Sequence, residues 1–280
     1  MEPTDSEVRT SINPRVPAAP FTALAGLARH ITIAGFSGLI TGVLVGGIGG
    51  RLFMRIAGAI AGDVAQGRTT EAGFTVGEVT VEGTLGLVIF IGIFSGFAVA
   101  TYYVMFFPWV AWARRWRGVV FGLIGFAGAS ATSDLLNPDN IDFVILANEP
   151  IVVGMIVLLF VAFGVVIDGL YRLLDAYVPA PGGNVNAVFY TVSAFGLFIG
   201  SGGAGVIVGG DACDCAPLLG VVWSIVIVAG ATITWWLSVL VARSPIWLGR
   251  ASAIAGYLGT AGVLIFGLIR AISDAAEIIG

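Results

Sequence analysis

Residues Ile31–Gly50, read as ITIAGFSGLITGVLVGGIGG, contain no charged side chain. As an α-helix this run would rise about 30 Å, the thickness of a bilayer's hydrocarbon core. Further uncharged runs follow at 83–107, 118–133, 150–167, 185–210, 216–242 and 251–269. The chain of 280 residues is 58% hydrophobic and 11% charged, against about 25% charged in soluble domains. These features predict an all-α, polytopic transmembrane helical bundle of seven spans, with residues 21–280 as a single membrane domain. The run 118–133 is the shortest, and Arg117 would lengthen it by snorkelling to the interface.

Residues 1–20 are polar and include Pro14, Pro17 and Pro20. They read as a disordered cytoplasmic tail. The first apolar run is long enough to span and no small-residue cleavage site follows it, so it reads as a signal anchor and not a cleavable signal peptide. Phe21–His30 extends its helix inward, with Thr22 as a candidate N-cap.

The chain has no lysine, so orientation rests on arginine. With the N-terminus cytoplasmic, Arg9, Arg15, Arg29, Arg114, Arg115, Arg117, Arg172, Arg243 and Arg250 lie inside, and Arg51, Arg55, Arg68 and Arg270 lie outside. That excess supports insertion in the cell membrane with the C-terminus external. Trp109, Trp112 and Trp116 interleave with Arg114, Arg115 and Arg117. Aromatics among bases can bind nucleic acid. Beside a span they read instead as an interfacial belt attracted to anionic lipids, and no nucleic-acid partner is expected.

Glycine supplies 41 residues, about twice the usual share of roughly 7%. Gly38, Gly42, Gly46 and Gly50 stand four apart in the first run, on one helix face. Gly92, Gly96 and Ala100 repeat the device in the second run, and Gly196, Gly200 and Ala204 in the fifth. Small residues on one face let another backbone approach closely. The partner is open at this point: a helix of the same chain, a second copy in a homo-oligomer, or a permeation path.

Arg51 and Arg55 follow the first run at i, i+4 spacing, on one face if the helix continues to about Gly62. They break the positive-inside trend. Either they snorkel to headgroups, or they pair with an anionic ligand or with acids of the next segment, for which Glu78 and Glu82 are the candidates. Within that connector, Phe74 and Val76, then Val79 and Val81, alternate with polar residues around Gly77-Glu78. The pattern allows a short outer β-hairpin between the first two spans. Asp168 and Arg172 stand at i, i+4 and can pair along their helix at the interface.

Asp211, Cys213, Asp214 and Cys215 form a short cluster between the fifth and sixth runs. A strained disulfide, incidental thiols, an inter-subunit disulfide and a soft metal all remain open, but the ligand set is incomplete for a metal. No cofactor is expected. Without lysine there is no P-loop and no Schiff-base lysine for retinal. Gly35-Phe36-Ser37-Gly38 has the form of a rhomboid-type serine motif, yet the only histidine, His30, precedes it and none follows to act as base.

The segments Gly49-Gly50-Arg51-Leu52-x-Met54-Arg55, Gly73-Phe74-x-Val76-Gly77, Thr80-x-x-Gly83-Thr84-Leu85 and Ile141-Asp142-Phe143 resemble a group of uncharacterised bacterial multi-pass integral membrane proteins. The resemblance covers roughly the first four spans. It implies no activity, and it implies that Arg51, Arg55 and the Gly73–Leu85 connector are the group's signature. Two functions follow from the whole reading: a transporter or channel-like protein for a small solute or ion, or a non-transporting scaffold, sensor or assembly subunit acting through its glycine faces.

Overall fold

The structure, a computed structural model, describes residues 20–62, 67, 85–133, 135–136, 150–179, 218–241 and 245–279, with six positions between 188 and 196. Helix α1 (Pro20–Thr41) is the first described element and passes without a break into a π-helical segment (Gly42–Gly49) and then α2 (Gly50–Ala61). A second π segment (Leu87–Phe94) leads into α3 (Ser95–Val110), and a 3₁₀ turn (Ala111–Trp116) leads into α4 (Arg117–Thr132). Then come α5 (Pro150–Tyr177), α6 (Leu219–Leu240) and α7 (Ile246–Ile279). Pro20 begins α1, where its missing N–H costs nothing, so Thr22 lies inside the helix instead of capping it. Gly62, at φ +63°, ends α2 in a conformation glycine tolerates.

Among the described residues five helical stretches, not the seven expected, are long and apolar enough to cross a membrane: Leu24–Ala61, Gly92–Thr132, Pro150–Tyr177, Leu219–Leu240 and Ile246–Ile279. The expected spans 83–107 and 118–133 fall in the one stretch Gly92–Thr132. That stretch is not one straight helix: the backbone breaks at Arg114, at φ 47° and ψ −111°. Helix α4 folds back so that the Phe121 ring lies 5.1 Å from that of Tyr103 of α3, which puts a tight turn where the charge at Arg114, Arg115 and Arg117 suggested a loop. Pro108, which cannot donate to the turn before it, weakens the end of α3 just ahead of that break. The expected span 185–210 lies outside the described residues except for the six positions above. The expected hairpin lies outside them as well, and the described residues contain no strand.

Helices α1 and α3, and likewise α4 and α5, run antiparallel where they touch. A Cβ added to Gly38 would overlap the Gly96 carbonyl, and one added to Gly42 would overlap that of Gly92. The order reverses, so α1 and α3 point in opposite directions. Gly118 and Gly122 of α4 meet Gly164 and Phe160 of α5 in the same manner, with 2.7 Å between a Gly118 Cβ and the Gly164 oxygen. Gly267 of α7 lies against the Ala127 carbonyl of α4. At Gly196 a Cβ would meet nothing within 4 Å among the described residues; Gly200 and Ala204, the rest of the device expected in the fifth run, lie outside them.

Tyr103, Phe106, Trp109, Phe121, Ile167 and Val228 fill the larger core, and Ala57, Phe126, Leu136, Val152 and Ile278 fill a second one at the opposite end. Many large apolar side chains instead face outward, among them Leu52, Leu158, Trp223, Ile254 and Leu258. Outward apolar faces on long helices suit hydrocarbon as solvent. The chain is a multi-pass helical membrane protein.

Candidate functional site

One end of the bundle collects charge inside it. Asp168, on the inward face of α5, is 4% exposed. Arg117, the first residue of α4, donates from Nε to its Oδ1 at 2.5 Å. Arg172, one turn further along α5, reaches its Oδ2 at 2.6 Å. The Tyr103 hydroxyl of α3 donates to Oδ1 at 2.6 Å. A carboxylate removed from water needs this number of partners, since an isolated buried charge costs far more than a hydrogen bond returns. The pair expected between Asp168 and Arg172 is therefore present, but as part of a buried network spanning three helices.

Aromatic rings wall the cluster. The Arg117 guanidinium lies 4.4 Å over the Phe107 ring, with Tyr103 and Tyr171 about it at 6.0 and 5.9 Å. Arginine suits this setting because its flat, weakly hydrated cation stacks on ring faces while still donating to carboxylate. His30 of α1 sits beside the same rings, 4.8 Å from Phe107 and 5.7 Å from Trp236. Its Nδ1 shares a hydrogen bond of 2.5 Å with the Tyr171 hydroxyl. Its Nε2 is buried with no partner among the described residues.

Arg29 adds a clamp at the rim. It pairs with the Asp175 carboxylate and donates to the carbonyls of Asp175 at 2.6 Å and Val178 at 2.7 Å. These carbonyls close α5, so a cation from α1 satisfies the orphan acceptors at the negative end of the helix dipole. Arg172 also donates to the Arg114 carbonyl at 2.6 Å, which ties the network to the bend between α3 and α4.

The other predicted residues are elsewhere. Arg51 and Arg55 lie on α2, which does run to Ala61, with Arg51 half-buried and Arg55 exposed. Glu78, Glu82, Asp211, Cys213, Asp214 and Cys215 lie outside the described residues. Among the described residues no group of three or more histidines, cysteines or acids could hold a metal. Ser37 is buried and donates to the Ile33 carbonyl at 2.7 Å, an ordinary bond within the helix. Gly38, Gly42 and Gly46 are buried, while Gly50 is partly exposed.

His30, Tyr103 and Tyr171 carried no local signal. The usable hint was compositional: a lone histidine and two tyrosines near the ends of apolar runs, where polar groups need partners. No family model matches the chain, and no curated protein or solved structure is found to be similar to it.

Proposed function

We propose that this membrane protein moves a small solute or ion, and that the Arg117–Asp168–Arg172 cluster gates its inner end. The observation that carries the proposal is Asp168, a buried carboxylate holding arginines from α4 and α5 and a tyrosine from α3. An ion network of this kind is a poor source of stability, because well-packed apolar residues of similar volume often do as well or better. Ionisable groups inside a membrane bundle mark pathways by default. A charged solute can exchange with one arm of the cluster and part α3, α4 and α5. Two π segments meet near the glycine contacts, and π geometry inside helices is frequent at functional positions. The recess between α1 and α3, lined by Ile31, Gly35, Phe97, Ala100 and Val104, measures about 10 Å³, near one water in size. Passage there requires helix movement.

We assign the Arg29 end to the cytoplasm and the C-terminus to the exterior of the cell membrane on the arginine excess. Gly38, Gly42, Gly92 and Gly96 serve in this reading as a glycine zipper within one chain. That use argues against the scaffold alternative, because the same face cannot also recruit a second copy. A homo-oligomer would need another face.

Solute uptake into proteoliposomes, screened over ions and small metabolites, is the test. The wild type should carry at least one solute faster than empty vesicles, and Arg172→Gln should change that rate. A wild type that carries nothing overturns the transport reading. Flux unaltered by Arg172→Gln removes the cluster from the path.

A further inference from the structure

We propose that the 3₁₀ turn Ala111–Trp116 is a seat for the phosphate headgroup of an anionic phospholipid. The proposal does not depend on transport. Trp112 and Trp116 are 65% and 59% exposed, while Trp109 just before them is 2% exposed in the core. Two indole rings on either side of the break at Arg114 are thus left uncovered at the charged end of the bundle. Tryptophan at that height is at home in the headgroup layer, with an apolar body and a single donor.

Arg114 and Arg115 lie between these rings and are exposed. Neither takes part in an ion pair among the described residues; the acids nearby, Asp168 and Asp175, are already held by Arg117, Arg172 and Arg29. The Arg115 guanidinium lies 5.6 Å over the Trp116 ring, which orders it before any ligand arrives. The turn therefore presents uncompensated positive charge flanked by apolar rings.

The backbone supplies an independent argument. Arg114 is the one non-glycine residue with positive φ among the described residues. Its φ of 47° with ψ of −111° is territory that glycine occupies freely and other residues rarely. Arg172 holds the strained unit by donating to its carbonyl at 2.6 Å. A fold that needed only the bend would be served better by glycine. An arginine here is explained if its guanidinium has a use, and its planar fork fits the oxygens of a phosphate. An anionic headgroup fits better than a zwitterionic one, whose ammonium would face the uncompensated Arg114 and Arg115.

The full chain, purified in zwitterionic detergent, is given dioleoylphosphatidylglycerol, dioleoylphosphatidylcholine or inorganic phosphate. Retained lipid is counted by native mass spectrometry and the unfolding midpoint is followed by heating. The wild type should retain phosphatidylglycerol over phosphatidylcholine, with a contribution of about fivefold from each arginine. Arg114→Gly keeps the bend, so it should unfold at or above the wild-type temperature without lipid and still lose its share of the preference. Arg115→Gln should lose a similar share, whereas Arg250→Gln, an exposed arginine on α7, should keep the wild-type ratio. Equal retention of both lipids by the wild type overturns the seat. So does an Arg114→Gly protein with undiminished preference, or a midpoint raised by inorganic phosphate as much as by phosphatidylglycerol.

Discussion

Arg117 and Arg172 hold opposite oxygens of one carboxylate, that of Asp168, at 2.5 and 2.6 Å. Two like charges are kept close by the anion between them. Removing that anion leaves uncompensated cations near a buried site, so Asp168→Asn should cost about 3–5 kcal/mol. Thermal unfolding in detergent measures this. A midpoint within a degree or two of wild type would mean that the cluster is hydrated and not the buried network described above.

Tyr103→Phe separates the hydrogen bond from the packing. The ring stays in place and only the donor to Oδ1 is lost, so the loss should be about 1–3 kcal/mol, well below that of Asp168→Asn. The same unfolding assay ranks the two. Equal losses would assign the cost of both substitutions to disturbed packing.

The close approaches of glycine predict a sharp positional contrast. At Gly42 even a methyl group would overlap the Gly92 carbonyl, so Gly42→Ala should lower folded yield and Gly42→Leu should abolish it. At Gly154 in α5 a Cβ would meet nothing within 4 Å among the described residues. Gly154→Ala should therefore fold as well as wild type or gain roughly 0.5–1 kcal/mol. Fluorescence-detected size exclusion reads both. Equal yields from the two alanine variants would show that the α1–α3 contact can open without loss.

Arg51 and Arg55 differ in burial, and their substitutions should differ too. Arg55→Lys should be neutral, because an exposed cation that snorkels needs only its charge. Arg51→Lys should cost more, since a half-buried guanidinium is not matched by an ammonium. Unfolding midpoints of both variants decide the point, and identical values would place the two arginines in the same interfacial role.

The ends of the chain give a topology test. Arg29 of α1 meets Asp175 at one end of the bundle, while Ile278 of α7 packs with Ala57 and Val152 at the other. Accessibility tags placed before Pro20 and after Gly280 should report opposite faces of the membrane, and a tag at Trp112 should agree with the first. Tags before Pro20 and after Gly280 that report one face would contradict this arrangement.

Much of the fold was legible along the chain. The uncharged run Ile31–Gly50 sits within one continuous helical stretch, and the spacing of Asp168 and Arg172 foretold their pairing. The count of spans was not legible. The turn at Arg114 is tight enough for the two runs on either side to join in one helical stretch, and the run 185–210 lies largely outside the described residues. The network was hidden for a different reason. Asp168 lies 65 residues from Tyr103 and 51 from Arg117, and local periodicity says nothing about which helices become neighbours.

The clamp formed by Arg29 bears on how the protein is made. Its partner Asp175 lies 146 residues later in the chain. None of the acceptors Arg29 holds, the Asp175 carboxylate and the carbonyls of Asp175 and Val178, exists until α5 has been made, and those carbonyls acquire their cation only then. Closure of this end is thus a late event in biogenesis. Nascent chains stalled before Asp175 should leave His30 and Arg29 open to chemical labelling, and chains released beyond Pro179 should shield them.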